Sequence, residues 1–361
     1  MTDRAAIKAE AARLRGIFEA AGATPVETPV LQSADTLLDL YGEDIRGRAY
    51  ITTDAMRGEQ MLRPDFTVPV VQMHMDHGAE PACYTYAGEV FRRQEDNPDR
   101  ANEYQQVGFE LFDRATPEAA DARVFSKIYD ILKPYNLRAA TGDIGILMAA
   151  VSGLRTTDRR KAALMRHLWR PRRFRALVDR YSGRAAIPES RAALLAEADP
   201  LGDLAPMIGL RSAAEIETRI SALREDAAAP PISENEVALL NAVLCVRETS
   251  VNALEHLRDI AVDLTAIDPA VTRLAMRLEA IEKAGIDTAS LDFEASYGRT
   301  QMEYYDGFVF GFYAPDRPDL PPVATGGRYD ALTRQLGQGR EIPAVGGVIR
   351  PGLLIELGGR S

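Results

Sequence analysis

The chain has 361 residues, of which 46% are hydrophobic and 27% charged, and a formal net charge of −10 at pH 7. That length exceeds one ordinary core and implies roughly two domains of about 150 residues, while the composition argues against a disordered chain. The acidic balance argues against a dedicated nucleic-acid binder, which usually carries a basic domain.

The first predicted element is a helix. Ile7, Ala11, Leu14 and Phe18 recur at helical spacing, and Gly22 stands where a C-cap belongs. Extended stretches follow at 26–31, 49–53 and 83–90, rich in β-branched and aromatic residues. Another strand is predicted over 105–112. Thr116, Pro117 and Glu118 then supply a cap, a first-turn proline and an acid for a helix running to about Lys133. From Thr156 to Gly285 nearly every segment has helical periodicity, interrupted by Pro188, Pro200 and the Pro230-Pro231 pair. Ser233 and Glu236 form a capping box ahead of Val237. Strand signals return from Leu291, through 304–313 and 343–349. The pattern predicts an α+β domain, 1–155 and 286–361, interrupted by a helical insertion, 156–285.

Cys83 and Cys245 have no CxxC spacing, which argues against a disulfide framework or a zinc site. His74, His77, His167 and His256 form no helical HxxxH pair, so no metal is expected. The polar N-terminus and the lack of an apolar run near ~18 residues imply no membrane span and a cytoplasmic protein.

Four stretches carry chemistry. In Leu62-Arg63-Pro64-Asp65-Phe66-Thr67, a carboxylate and a hydroxyl two residues apart share a strand face or a single turn. They suit an ammonium group, or simply cap a turn. Phe91-Arg92-Arg93-Gln94 and Glu103-Tyr104-Gln105-Gln106-Val107-Gly108-Phe109-Glu110 read as two antiparallel strands with a long loop between them. Arg92 at a strand end suits a carboxylate or phosphate, and Gln106 and Glu110 point to one face and suit an amine or a ring nitrogen. A solvated hairpin fits the same spacing. Glu303-Tyr304-Tyr305-Asp306-Gly307-Phe308 is an Asp-Gly turn flanked by aromatics, either a wall for a planar ligand or sheet core. Gly326-Gly327-Arg328-Tyr329-Asp330 and 343–347 supply glycine pairs that allow close backbone approach. The basic run 155–175, with Trp169 and Phe174 interleaved, reads as an RNA patch, a solvated helix face or a docking face for an acidic partner.

Taken together, these stretches resemble the class II aminoacyl-tRNA synthetase core, and the histidyl enzyme in particular, over about 5–150 and 290–361. LRPDFT resembles its LRPE-x-T segment. FRRQ through EYQQVGFELF resembles motif 2, EYYDGFVF the histidyl-specific segment, and GGRYDAL with PAVGG the approach to motif 3. Pro29, in 27–31, suits the motif 1 dimer segment. The resemblance implies an antiparallel sheet of six or seven strands flanked by helices. It also implies a histidine pocket: Asp65 and Thr67 at the ammonium, Gln106 and Glu110 near the ammonium and imidazole, Tyr304 and Tyr305 as its wall, and Arg92 at the carboxylate.

Departures from the resemblance are informative. Thr300 or Gln301 stands near the position of the activating arginine, with Arg299 just upstream. The motif 3 arginine falls on Leu353, three residues after Arg350. Gln94 replaces a glutamate, and the loop 95–99 is acidic where a loop handling ATP and tRNA is basic. An anticodon-binding domain is not expected. Retained histidine groups with lost phosphate groups resemble the regulatory subunit family of short-form ATP phosphoribosyltransferase. That family implies no catalysis, no cofactor, no tRNA, a homodimer, a catalytic-subunit partner in a hetero-oligomer and L-histidine as feedback ligand. The alternative is an active adenylating or aminoacylating enzyme with a rearranged motif 3, Arg350 taking the missing role.

Overall fold

The computed structural model describes residues 4–41, 45–94, 100–202, 209–299 and 304–358. Twelve strands are present among them. A small antiparallel sheet holds β2 (Leu31–Ser33), β3 (Ile51–Asp54) and β4 (Gly58–Leu62) in the order β2-β4-β3. The main sheet contains β1 (Thr24–Pro25), β5 (Ala82–Phe91), β6 (Glu103–Phe112), β7 (Arg138–Asp143), β8 (Arg247–Thr249), β9 (Asp292–Glu294), β10 (Phe308–Tyr313), β11 (Ala324–Arg328) and β12 (Ala344–Ile349). Its order is β1-β5-β6-β12-β11-β10-β7-β9-β8.

The six strands from β5 to β7 in that order are antiparallel throughout, as predicted. The sheet is nonetheless larger and mixed. β1 lies parallel to β5, and β9 parallel to β7, with β8 outermost. These edge strands are two or three residues long, too short to show a period in sequence.

Two predicted strands are displaced. Residues 26–30 are not strand: β1 ends just before the predicted run and β2 begins at its last residue, Leu31. Pro25 and Pro29 supply no N–H to a ladder, which limits pairing there. Tyr304 and Tyr305 precede β10, which starts only at Phe308. Asp306-Gly307 does not close a hairpin: the Asp306 carboxylate accepts the N–H groups of Asp330 and Ala331 at 3.0 and 2.6 Å, capping the helix Asp330–Leu336. Burial and the neighbouring Asp330 push the Asp306 carboxyl up to about 7.

The side-chain period of two divides the main sheet into faces. On one face Phe308, Phe310 and Phe312 pack around Phe125 of the helix Pro117–Leu132. On the same face Phe109 stacks on Phe18 of the N-terminal helix Arg4–Ala20, with centroids 4.9 Å apart. The other face presents Tyr86, Gln106, Glu110 and Gly346, and carries the candidate site.

After Ile144–Gly153 the chain runs through helices until β8, which adds to the main sheet, so the segment 156–285 rejoins the core before it ends. Its last helix, Asp268–Lys283, is tied down by Arg277. That guanidinium donates to Asp121 at 2.8 Å and to Asp143 at 2.9 Å, and Arg328 donates to the other Asp121 oxygen at 2.7 Å. All four groups are buried. Alternating charges neutralise one another along this chain, which keeps each ion tolerable in the interior. In the basic run, Arg160 is buried and donates to Asp226 at 2.7 Å and to the Pro230 carbonyl at 2.7 Å, so part of that charge is structural. No helix among the described residues is long and apolar enough to cross a membrane.

Candidate functional site

The site sits on the β5-β6-β12-β11 surface. Asp65, Thr67, Arg92, Gln106, Glu110, Tyr304 and Tyr305 all line one narrow cavity, with Thr325, Tyr329, Gly346 and Arg350. Sequence separations of up to 285 residues, from Asp65 to Arg350, collapse here because β6 lies between β5 and β12.

Glu110 is the centre. It is 1% exposed, and three hydroxyls donate to its carboxylate. Thr67 Oγ1 and Tyr86 Oη reach Oε1 at 3.2 and 2.8 Å, and Tyr329 Oη reaches Oε2 at 2.6 Å. Burial pushes this carboxyl up to about 7; the three hydroxyls oppose the shift, and nearby Asp65 adds to it.

Two glycines make the arrangement possible. Gly346 is the direct cross-strand partner of Glu110, and a Cβ there would lie 1.4 Å from Oε2. Gly108 pairs with Tyr86, and its Cβ would lie 2.0 Å from that ring. Only a residue without a side chain lets Glu110 and Tyr86 fold flat over the neighbouring strand.

Thr67 enters from the first position of the helix Thr67–His77, and Asp65 from the turn just before it. The Asp65 carboxylate accepts the Val68 N–H at 3.3 Å, so it is at once a turn cap and a cavity group. Arg92 Nη2 stands 3.9 Å from Asp65 Oδ2, while Arg92 Nε donates to the Pro64 carbonyl at 2.6 Å. Gln106 is buried, and its side-chain oxygen has no hydrogen-bond partner among the described residues. Tyr304 and Tyr305 meet edge to face with centroids 4.9 Å apart, and Tyr304 similarly meets Tyr329 at 6.1 Å. Phe66 stacks on Tyr86, with centroids 4.3 Å apart.

The cavity thus offers carboxylates at Asp65 and Glu110, guanidinium groups at Arg92 and Arg350, an amide at Gln106 and aromatic walls. Those groups complement a small zwitterion with a planar, hydrogen-bonding side chain, around a space of about 30 Å³ in this conformation.

Tyr86 and Tyr329 were not among the sequence-predicted ligands. Tyr86 lies on the β5 face that meets Glu110, a relation visible once the two strands are paired in register. Tyr329 follows the glycine pair, but nothing local to it points at Glu110. Arg350 lines the cavity, with its guanidinium 5.5 Å from the Tyr104 ring centroid. Leu353, at the motif 3 arginine position, packs instead against the apolar cluster on the opposite sheet face. Arg299 turns away from the cavity and donates to the Leu168 carbonyl at 2.7 Å. Thr300, Gln301 and the acidic loop 95–99 lie outside the described residues.

The Histidyl-tRNA synthetase family model matches residues 2–202 and 210–351. The fold is shared with an ATP phosphoribosyltransferase regulatory subunit/histidyl-tRNA synthetase from Bacillus halodurans, at TM-score 0.67 and 21% identity over 99% of this chain and 81% of that one. A histidine–tRNA ligase subunit from Alicyclobacillus acidocaldarius gives TM-score 0.62 and 21% identity over 99% and 94%. ATP phosphoribosyltransferase regulatory subunits from Brucella anthropi and Brucella canis are each 32% identical over 357 residues, covering 92% of this chain and 93% of theirs. The chain belongs to the family of ATP phosphoribosyltransferase regulatory subunits.

Proposed function

We propose that this chain is a non-catalytic subunit that binds L-histidine in the Glu110 cavity. Through that binding it regulates a short-form ATP phosphoribosyltransferase catalytic subunit in a hetero-oligomer. One observation carries the reading: the amino-acid groups Asp65, Thr67, Arg92, Gln106, Glu110, Tyr304 and Tyr305 converge on one cavity, while Leu353 stands at the phosphate-binding position and faces the other side of the sheet. Asp65 takes the ammonium, Arg92 the carboxylate, and Glu110 with Gln106 the imidazole edge. Feedback then requires only that occupied and empty forms differ in affinity for the partner's states. The reading further places a homodimer contact at 27–31 and an α+β core at 1–155 and 286–361, carrying the helical segment 156–285. It locates the protein in the cytoplasm, without tRNA or cofactor.

Calorimetric titration of the purified chain with L-histidine tests the pocket. Saturable binding abolished by Asp65→Ala supports it. Equal binding by that variant contradicts it.

One observation favours the second reading. Arg350 does line the cavity, so an adenylating enzyme with a rearranged motif 3 retains a cation there. Histidine-dependent ATP–pyrophosphate exchange by the pure chain distinguishes the two.

A further inference from the structure

Five arginines are buried among the described residues: Arg63, Arg160, Arg277, Arg299 and Arg328. Arg160, Arg277 and Arg328 are ion-paired, and Arg63 donates to the Glu89 and Thr28 carbonyls at 2.9 and 2.6 Å. Arg299 differs. It is 6% exposed, and Nη2 has no hydrogen-bond partner among the described residues. Among the described residues Nε donates to the Leu168 carbonyl, and the guanidinium lies 4.9 Å from the Phe174 ring centroid. Burial without a counter-charge lowers its affinity for a proton, yet a guanidinium stays charged in proteins. A buried, charged donor left unmatched is rare and requires an explanation.

The space to hold one is present. Arg299 lines a cleft of about 440 Å³ between the helices Pro171–Tyr181 and Glu234–Cys245 and the segment after β9. That is within the range of small-molecule sites. Phe174, Val178, Leu240 and Leu244 supply apolar walls, and Arg175 and Arg184 add positive charge. The two carboxylates in the lining are Asp179 and Glu294, and Glu294 already accepts the Ser296 hydroxyl at 2.6 Å and faces Arg247 at 3.7 Å. Cations therefore outnumber anions, and the cation set deepest against the Phe174 ring is Arg299.

We infer that this cleft is a second ligand site, separate from the Glu110 cavity, which takes a small organic oxyanion with an apolar body and seats the oxyanion on Arg299. Planar fork geometry suits both carboxylate and phosphate monoester, and Phe174 with the leucines takes the body.

The sole tryptophan, Trp169, adjoins Leu168, whose carbonyl holds Arg299. Its fluorescence provides the readout. Full-length protein is titrated separately with phenyl phosphate, benzoate and inorganic phosphate, and melting temperature is followed in parallel. Saturable quenching or enhancement by phenyl phosphate or benzoate, whichever is stronger, identifies the oxyanion. Loss of one charge-assisted donor weakens such binding about tenfold or more, and Arg299→Gln is expected to do so. Should that variant unfold, Asn241→Phe, which fills the cleft from the facing helix, is expected to abolish the response. Neither aryl anion binding, or both binding equally well in Arg299→Gln and Asn241→Phe, overturns the inference. So does a response to inorganic phosphate alone that both variants keep.

Discussion

Tyr329 donates its hydroxyl to Glu110 at 2.6 Å, joining the end of β11 to the middle of β6 across a sequence separation of 219 residues. With Tyr86 on the opposite oxygen at 2.8 Å, this contact fixes the carboxylate in the plane of the cavity. Removing either hydroxyl leaves a buried acceptor short of a donor, at about 1–3 kcal/mol. The hydroxyls favour the ionised form, so Tyr329→Phe is expected to lower stability and to move the Glu110 titration above about 7. Denaturant unfolding and carboxyl NMR of the variant check both.

Glu110 and Asp306 make stability depend on pH in a defined direction. Both are raised to about 7, from ordinary values of 4.5 and 3.8. The folded state therefore binds more protons than the unfolded chain between those limits, and their contribution falls as pH rises from about 4 to about 7. Glu110→Gln is expected to remove its share, a relative stabilisation on the order of 2–3 kcal/mol at pH 8 that vanishes near pH 4. The Asp306 share persists in that variant. Unfolding free energies of both proteins across this range are the check.

Histidine binding is expected to peak between pH 6.5 and 7. Ligand imidazole, ordinarily near 6.5, and Glu110, near 7, hold one proton between them in the proposed contact. Affinity falls below the window because both groups are protonated and above it because neither is, by about tenfold per unit outside. Calorimetric constants from pH 5 to 9 test this, and a flat profile argues against Glu110 as the imidazole partner.

Gly346→Ala is expected to abolish ligand binding while costing about 1–3 kcal/mol of stability. Its Cβ would collide with Glu110 Oε2, so either the carboxylate rotates or the strands part. Retained binding with native stability would mean that Glu110 is not held as described.

At the other end of the sheet, Arg277→Met leaves Asp143 without its cation and Asp121 paired with Arg328 alone. Breaking such a buried network costs about 3–5 kcal/mol. Because Arg277 joins the helix Asp268–Lys283 to the core, proteolysis at that helix is expected to accelerate.

How much of this is legible in the sequence varies with length scale. The pairing of β5 with β6 shows in two long alternating stretches around a polar loop, and Gln106 and Glu110 share a face by period alone. The capping boxes at Ser212 and Ser233 form as local chemistry dictates, although only the second is read in advance. The edge strands β1 and β8 do not show, because two or three residues carry no period and their pairing is decided by what they dock on, whereas β9 falls where strand signals return at Leu291. Asp306-Gly307 reads as a hairpin turn, but its carboxylate is claimed by a helix over twenty residues downstream. Tyr329 and Arg350 reach the cavity only through strand order, which no local pattern encodes.

The central claim rests on regulation, and one measurement meets it directly: ATP phosphoribosyltransferase activity of the short catalytic subunit, alone and with this chain, with and without L-histidine. The account predicts that activity rises when the chain is added, falls again with histidine, and loses its histidine sensitivity when Asp65→Ala replaces the wild type. No change in activity on mixing, with no physical association between the two chains, would contradict it.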